Sequence, residues 1–168
     1  MAADKQMKLE IRRARESDAA TLTEIAYESK RYWGYPDHWM LRWRDALTIT
    51  SAYITERIVY VAEAGASLVG FYAVVGAHAQ WELDHLCIRP DFIGHGIGRQ
   101  LFRHAAAYLA VQDPGAILGI ESEPNAEQFY VRMGARRVRE VTREWHGVRR
   151  TLPYLEFRVE AVSNRDDG

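Results

Sequence analysis

Residues 83–102 read LDHLCIRPDFIGHGIGRQLF, an apolar run followed by three alternating glycines and then an amphipathic segment. The pattern predicts a strand, a loop that contains Gly94, Gly96 and Gly98, and a helix after it. Such a loop leaves backbone N–H groups free at a helix N-terminus, where the partial positive charge favours an anion. We expect the backbone from Gly94 to Arg99 to bind the pyrophosphate of a nucleotide-like cofactor. The alternative is a flexible glycine turn that only leads into the helix.

Two other phosphate-binding loops fit these letters less well. The dinucleotide fingerprint GxGxxG opens a βαβ unit, whereas here the glycines run GxGxG after a predicted antiparallel meander. A P-loop requires a GK[ST] segment, and the sequence has none.

Outward from the loop, hydrophobic periodicity predicts the element order β-α-α-β-β-β-α-β-α-β-β. The expected strands are residues 8–13, 58–62, 68–75, 81–88, 116–120, 138–141 and 154–159. The expected helices start at Ser17, at Asp37, after the glycines, and at Pro124. The second helix should place Met40, Trp43 and Leu47 on one apolar face. This order is typical of an α/β fold with a mixed (α+β), mostly antiparallel central sheet and helices on both faces.

The composition fits one globular domain within the 168 residues. Hydrophobic residues make up 48% of the chain and the formal net charge is −1, which disfavours disorder and a dedicated nucleic-acid binder. We expect a single domain over residues 7–161 and a polar C-terminal tail over residues 162–168. Cys87 is the only cysteine, so an intramolecular disulfide and a four-cysteine metal site are excluded. The six histidines lack metal-ligand spacing, and no metal is expected.

The sequence contains no signal-peptide pattern and no apolar run of membrane-spanning length. This predicts a cytoplasmic protein with no membrane partner. The basic runs RMGARRVRE (132–140) and GVRRTLP (147–153) are interpreted as solvated strand edges and turns. A phosphate of the cofactor or an acidic partner would also account for them.

A second motif, EPNAEQFYVRMGA, occupies residues 123–135. Together with residues 83–102 it resembles the two signature segments of the GNAT superfamily of N-acetyltransferases, and the element order resembles that superfamily too. In that family a strand leads into a [QR]xxGx[GA] loop that holds the acetyl-CoA pyrophosphate, and a later helix carries a tyrosine near the thiol. The resemblance implies the GNAT acyl-CoA N-acyltransferase fold over nearly the whole domain, with acetyl-CoA as cofactor and coenzyme A as product.

The resemblance also implies two groups of cofactor contacts. Strand backbone at Leu86, Cys87 and Ile88 would pair with the pantetheine amides. The loop would contribute Gly94, His95, Gly96, Ile97, Gly98 and Arg99. The Cys87 side chain is expected to be a small buried apolar group rather than a nucleophile.

The sequence departs from the family pattern at two places. Ile93 stands where the family usually has Gln or Arg, which removes one side-chain contact. Glu123 stands where an asparagine often occurs, seven residues before the tyrosine. Asn125 is therefore the candidate cofactor contact in this segment.

Three residues are candidates for direct transfer of an acetyl group to an amine. Alkyl amines are almost fully protonated at neutral pH, so a base or a water chain must accept a proton. We expect one strand face to carry Glu82, Asp84, Leu86 and Ile88, with Glu82 where some family members place a general-base glutamate. Tyr130 would donate a proton to the departing CoA thiolate. Alternatively, the two carboxylates pair with arginines and Tyr130 is a core residue.

The acceptor is less well defined. Residues 29–43, SKRYWGYPDHWMLRW, are rich in aromatic side chains, and Tyr32 and Trp33 are the candidate substrate contacts, although the core would use such residues too. The predicted function is an acetyl-CoA-dependent N-acetyltransferase acting on an amine of a small molecule or peptide. The alternative is a non-catalytic acyl-CoA-binding sensor of the same fold. No nucleic-acid partner is expected. The sequence leaves the oligomeric state open: similar domains often form homodimers, and no residue here demonstrates one.

Overall fold

A computed structural model describes residues 7–161, which form a seven-stranded sheet with five α-helices. The strands are β1 (Leu9–Arg13), β2 (Ile58–Ala64), β3 (Ser67–Ala77), β4 (Gln80–Ile88), β5 (Ile117–Glu121), β6 (Arg136–Trp145) and β7 (Val148–Arg158). The helices are α1 (Ala19–Arg31), α2 (Asp37–Trp43), α3 (Ser51–Glu56), α4 (Ile97–Gln112) and α5 (Glu127–Arg132). The strand order is β1-β2-β3-β4-β5-β7-β6, and β4 with β5 is the one parallel pair in this described sheet. The mixed, mostly antiparallel sheet is confirmed.

The helices cover the two faces of the sheet and form two apolar cores. On one face, α4 and α5 pack over strands β3, β5 and β7, with Leu101 and Leu118 fully buried. On the other, α1 to α3 pack Leu22 and Trp43 against Phe71 of β3. Full burial of a side chain of this size stabilises the fold by about 1.5–3 kcal/mol. Within residues 7–161, no helix is long and apolar enough to cross a membrane.

Helix α3 and the end of α2 differ from the sequence prediction. Because α3 has only six residues, periodicity could not reveal it, although Thr50 caps it by accepting a 3.0 Å hydrogen bond from the Tyr53 amide. Helix α2 ends at Trp43, so Leu47 lies beyond the helix rather than on its face. Leu47 is buried all the same, because a turn bonds its amide to the Trp43 carbonyl at 2.9 Å.

The C-terminal hairpin is longer than the two short strands predicted. Strands β6 and β7 pair from Arg136 to Trp145 and meet at a tight turn in which His146 and Gly147 both have positive φ, 48° and 78°. Two positive φ angles match the twist of antiparallel strands in a two-residue turn. Most of β6 is exposed, so its sequence lacks the apolar alternation that marks a half-buried strand.

Strands β4 and β5 pair over only three residues each, Gln80–Glu82 with Ile117–Gly119. Beyond that point both strands continue without pairing to each other, β4 to Ile88 and β5 to Glu121. Backbone groups on this side of β4 are therefore available to an extended ligand. The candidate site lies at this gap, where β4 and β5 no longer pair.

Candidate functional site

Two cavities meet at the gap between β4 and β5. The first, the loop cleft, has a volume of about 710 Å³ and is lined by the glycine loop, α4 and α5. The second, the carboxylate cavity, has a volume of about 690 Å³ and is lined by α1, β4, β6 and β7. Residues that line both cavities are Ser29, Trp33, Leu86, Glu123 and Tyr130. We call this set the junction, because ligands in the two cavities would face each other there.

The loop cleft brings together most of the residues predicted to contact a cofactor. Its lining includes Leu86, Ile88, Gly94, Gly96, Ile97, Gly98, Arg99 and Asn125. Two predicted contacts lie elsewhere: Cys87 lines the carboxylate cavity, and His95 is exposed and lines neither cavity. Of the two predicted substrate contacts, Tyr32 lines the loop cleft only, whereas Trp33 lines both cavities.

The glycine loop is built for close approach to its backbone. Gly94 and Gly96 have φ angles of +86° and +78°, which L side chains rarely adopt, and no atom lies within 4 Å of the position of an added Cβ. The first hydrogen bond of α4 joins the Gln100 amide to the Gly96 carbonyl at 3.1 Å. The preceding amides, back to Gly94, form no backbone hydrogen bond within the described chain. They can therefore bind an anion at the N-terminus of a 16-residue helix.

Tyr130 projects from α5 into the junction. Its ring centroid lies 5.9 Å from that of Phe102 and 5.1 Å from that of Phe129, so apolar neighbours fix its position. Within residues 7–161 its hydroxyl forms no hydrogen bond. Burial raises the pKa of Tyr130, so the phenol stays protonated near neutral pH and can act only as a proton donor there.

Glu82 is held by a residue from β7. The Tyr154 hydroxyl donates a 2.5 Å hydrogen bond to Glu82 Oε1. Burial and this carboxylate raise the pKa of Tyr154 to about 12, so Tyr154 remains a donor. Gly119 of β5 makes room for the pair, because a Cβ there would lie 1.9 Å from the Tyr154 oxygen.

Asp84 lies in a β-bulge, which corrects the predicted strand face. Ala73 of β3 pairs with His85 and Val74 with Leu83, so Asp84 has no partner on β3. The extra residue reverses the alternation. The four residues predicted to share a face are therefore divided: Glu82 and Asp84 point into the carboxylate cavity, while Leu86, at the junction, and Ile88 pack against the core under α4.

The Asp84 carboxylate accepts a hydrogen bond from the Tyr53 hydroxyl and lies 3.9 Å from His85 Nε2. Burial lowers the pKa of His85 although Asp84 opposes the shift, so the imidazole is neutral at pH 7. Both candidate carboxylates thus have a tyrosine donor beside them and remain within one cavity.

A buried ion cluster that the sequence did not predict forms one side of the junction. Glu123 accepts hydrogen bonds from Lys30, Tyr35 and Arg150, with Arg150 Nη2 2.9 Å from Glu123 Oε2. The cations also lie over aromatic rings: Lys30 Nζ is 4.9 Å from the Trp43 centroid. We call these four bonded residues, Lys30, Tyr35, Glu123 and Arg150, the Glu123 cluster.

The cluster is ionised and carries a net positive charge. Burial alone would raise the pKa of Glu123, but hydrogen bonds from Arg150 and the charge of Lys30 outweigh it and hold the pKa at about 2. Burial lowers the pKa of Lys30, and Glu123 opposes that shift. One carboxylate therefore faces two cationic side chains.

The sequence alone does not reveal this cluster. Its members lie far apart along the chain, with 93 positions between Lys30 and Glu123, and no local pattern links them. The interpretation of GVRRTLP as a solvated run is wrong for Arg150, whose side chain is only 10% exposed. The one available signal was Glu123 itself, a charge in a predicted cofactor motif.

No group of three or more His, Cys, Asp or Glu side chains within residues 7–161 is arranged to hold a metal ion. The polar groups of the candidate site are instead backbone amides and phenols, which donate hydrogen bonds, and carboxylates, which accept them. Such a set can bind a phosphate-bearing ligand on one side and transfer protons on the other.

Solved structures have a fold similar to that of this chain. A GCN5-related N-acetyltransferase from Rhodopseudomonas palustris is 18% identical, with a TM-score of 0.75 over 91% of this chain and 95% of that one. The PaiA N-acetyltransferase from Thermoplasma acidophilum, in complex with coenzyme A, is 20% identical, with a TM-score of 0.72 over 90% of this chain and 99% of that one. A GNAT family acetyltransferase from Brucella melitensis, in complex with acetyl-CoA, is 21% identical, with a TM-score of 0.59 over 77% of this chain and 84% of that one. These likenesses show the fold.

One relative and one family model match the sequence itself. A segment of 63 residues, 38% of this chain, is 32% identical to an uncharacterised protein of Dictyostelium discoideum, of which it covers only 14%. The model of the acetyltransferase (GNAT) domain matches residues 45–152, more than half of the chain and the part that contains both motifs. The chain therefore belongs to the GNAT acetyltransferase domain family.

Proposed function

We propose that the protein is an acetyl-CoA-dependent N-acetyltransferase that moves the acetyl group directly to an amine of a small molecule or peptide. The observation that carries the proposal is the junction, where a cleft suited to a phosphate-bearing cofactor meets a cavity with two carboxylates at the Tyr130 hydroxyl. The coenzyme A and acetyl-CoA complexes of two structural relatives support the choice of cofactor.

The residues of the loop cleft fit acetyl-CoA. The unpaired amides from Gly94 to Arg99 would hold the pyrophosphate, and the Arg99 guanidinium would add charge. Backbone groups of Leu86 and Ile88 on the open edge of β4 would pair with the pantetheine amides. Ile93 contributes no side-chain donor, but the backbone donors do not depend on it. When bound, acetyl-CoA supplies the activated acetyl group.

The carboxylate cavity supplies groups that handle the amine proton. Glu82 or Asp84 would accept it, either directly or through water, because an alkyl ammonium has no lone pair with which to attack. The tyrosine bonded to each carboxylate fixes its orientation. At the other end of the reaction, Tyr130 would donate its proton to the sulfur that leaves.

The state of Cys87 favours direct transfer over an acyl-cysteine route. Burial raises the pKa of the Cys87 thiol to about 12 in spite of a hydrogen bond from Ser29. Since the thiolate is the nucleophilic form, Cys87 has almost none of it at neutral pH. The amine itself must then attack the acetyl group.

Thermal unfolding with and without acetyl-CoA, followed by an assay of thiol release with a panel of amines, tests the proposal. At 100 times its dissociation constant, a ligand stabilises the folded state by about 2.7 kcal/mol, so a clear rise in Tm is expected. Thiol release must depend on the amine and yield its N-acetyl product by mass spectrometry. A Tm shift without acetylation of any amine would favour the non-catalytic sensor. No Tm shift at millimolar acetyl-CoA would show that acetyl-CoA is not the cofactor.

A pair of glycine variants makes the binding test specific to the loop. Gly96→Val adds a side chain among the unpaired amides and should abolish the acetyl-CoA shift. Gly65→Val is the matched control, because Gly65 also has a positive φ (+63°) with no atom within 4 Å of an added Cβ, but lies in the turn between β2 and β3. Gly65→Val should lose about as much folding stability as Gly96→Val, but its Tm should still rise with acetyl-CoA.

A further inference from the structure

The carboxylate cavity has charges of opposite sign on its two sides. Strand β4 contributes Glu82 and Asp84. The hairpin of β6 and β7, which lies beyond β5 in the sheet, contributes Arg139, Arg143 and Arg150. A ligand that matches both sides carries an ammonium and an anion in the same molecule.

Two of the three arginines already have carboxylate partners. Arg150 lies 2.9 Å from Glu123, and Arg143 lies 2.9 Å from Glu121. Arg139 forms no ion pair within residues 7–161; its guanidinium carbon instead lies 3.9 Å from the ring centroid of Tyr154. This stacking holds the guanidinium in place while its N–H donors stay available to an anionic ligand.

Tyr154 also limits the separation between Arg139 and Glu82. The Arg139 guanidinium lies over the Tyr154 ring, and Glu82 accepts a 2.5 Å hydrogen bond from the Tyr154 hydroxyl, so the two charged groups lie beside the same phenol. A ligand that contacts both must hold its ammonium and its anion within a few bonds. In an α-amino acid one carbon separates the two groups.

The rest of the cavity has apolar side chains together with polar ones, among them Lys30, Thr48 and His85. Its lining includes Leu47, Ile49, Ile120, Trp145 and Leu152. An apolar side chain placed against these five residues would leave water, whereas a charged one there would lose part of its hydration.

We propose that the acceptor is a free α-amino acid with an apolar side chain, its ammonium at Glu82 and Asp84 and its carboxylate on Arg139. The inference rests on the proposed function and specifies the class of acceptor amine. Guanidinium groups bind carboxylates through two parallel hydrogen bonds, which suits this role. In the reaction the amine nitrogen bonds to the acetyl carbonyl carbon and the C–S bond breaks. One ammonium proton goes to Glu82 or Asp84 before the attack, the sulfur receives the Tyr130 proton, and the second proton lost from the nitrogen restores the Tyr130 phenol.

Matched acceptor pairs test the inference with acetyl-CoA as the donor. L-leucine, L-methionine and L-phenylalanine are compared with the amines that lack only the carboxylate, and with their amino acid amides. We expect kcat/KM to be at least about tenfold higher for the free amino acids, the scale of one charge-assisted contact. L-aspartate and L-lysine should be poorer acceptors than all three.

Variants of the hairpin assign the preference to one residue. Arg139→Gln should raise KM for the free amino acids at least about tenfold more than it raises KM for the carboxylate-free amines. Arg149→Gln is the control, because Arg149 is exposed on β7 and lines neither cavity. Circular dichroism and Tm establish that both variants fold.

The outcomes separate the inference from the proposed function. If amines without a carboxylate are acetylated as well as the amino acids, or Arg139→Gln leaves the amino acid KM unchanged, the amino acid assignment is overturned and the N-acetyltransferase function stands. If no acceptor of any kind is acetylated, the proposed function fails and the inference fails with it.

Discussion

The hydrogen bond from Tyr154 to Glu82 spans the point where β4 and β5 cease to pair, and it lies directly over Gly119. A Cβ at Gly119 would lie 1.9 Å from the Tyr154 oxygen and 2.6 Å from Glu82 Oε2. Both are side-chain rather than backbone atoms, so the clash can be relieved by displacing the Glu82 carboxylate and the Tyr154 ring without unfolding the sheet. The glycine is therefore a positioning residue for the Glu82 carboxylate.

Replacing Gly119 with alanine should thus lower turnover rather than stability. We expect Gly119→Ala to bind acetyl-CoA normally and to lose at least about tenfold in kcat, since misplaced proton-transfer groups lose much of their effect. Steady-state kinetics and an acetyl-CoA titration measure the two quantities separately.

Two further variants test this explanation. Tyr154→Phe removes the same hydrogen bond and should reproduce the kinetic loss. Gly70→Ala should instead lower Tm, because its Cβ would lie 2.8 Å from the backbone oxygen of Cys87, which cannot move freely. A large fall in the Tm of Gly119→Ala, with normal kcat, would contradict the positioning role.

The proposed role of Tyr130 predicts a loss confined to the chemical step. Tyr130→Phe keeps the ring that packs on Phe102 and removes only the donor, so kcat should fall by about 10²-fold or more while the acetyl-CoA dissociation constant stays unchanged. Tyr108→Phe is the control, because Tyr108 packs in the core and lines neither cavity. Equal kcat in Tyr130→Phe and the control would exclude Tyr130 as the acid.

Much of this architecture follows from local sequence patterns. The helix after the glycines and the strands of the meander have clear periods, and their bounds in the structure differ from the predicted ones by a few residues at most. Helix α3 and the exposed strand β6 lack such a period, because one is too short and the other has no buried face. Their positions depend on packing against elements that are remote in sequence.

The candidate site, too, could be predicted from the sequence only in part. The glycine loop is one contiguous motif, so residues 94–99 could be assigned from sequence. The bulge at Asp84 depends on the register between β4 and β3, which the β4 sequence alone does not contain. The Glu123 cluster joins α1, β7 and the segments that follow α1 and β5, so only the fold reveals it.

The state of the single cysteine gives a chemical prediction. Because burial raises the pKa of the Cys87 thiol to about 12, iodoacetamide at pH 8 should modify the folded protein far more slowly than the protein in urea or free glutathione. Mass spectrometry after brief incubation with acetyl-CoA alone should show no acetyl group on Cys87. A stable acetyl-cysteine that transfers to an added amine would replace direct transfer with a two-step route.

The ionised Glu123 cluster predicts a specific dependence of stability on pH. The pKa of Glu123 is held at about 2, below its ordinary value of 4.5, so its contribution to folding is complete above pH 4.5 and is lost as the pH falls towards 2. The difference corresponds to a free energy on the order of 3 kcal/mol. Glu123→Gln lacks this contribution at every pH and leaves Lys30 and Arg150 without their carboxylate.

Urea unfolding at steps between pH 7 and pH 2.5 measures the effect. Glu123→Gln should be less stable than the wild-type protein at pH 7. The gap should narrow below pH 4.5, because the unfolded wild-type chain takes up a proton at Glu123 while the folded carboxylate stays ionised down to about pH 2. Glu144→Gln, an exposed change on β6, should keep the wild-type profile. A gap that stays constant down to pH 2.5 would mean that Glu123 is not ionised in the cluster, and the lowered pKa assigned to this carboxylate would then be wrong.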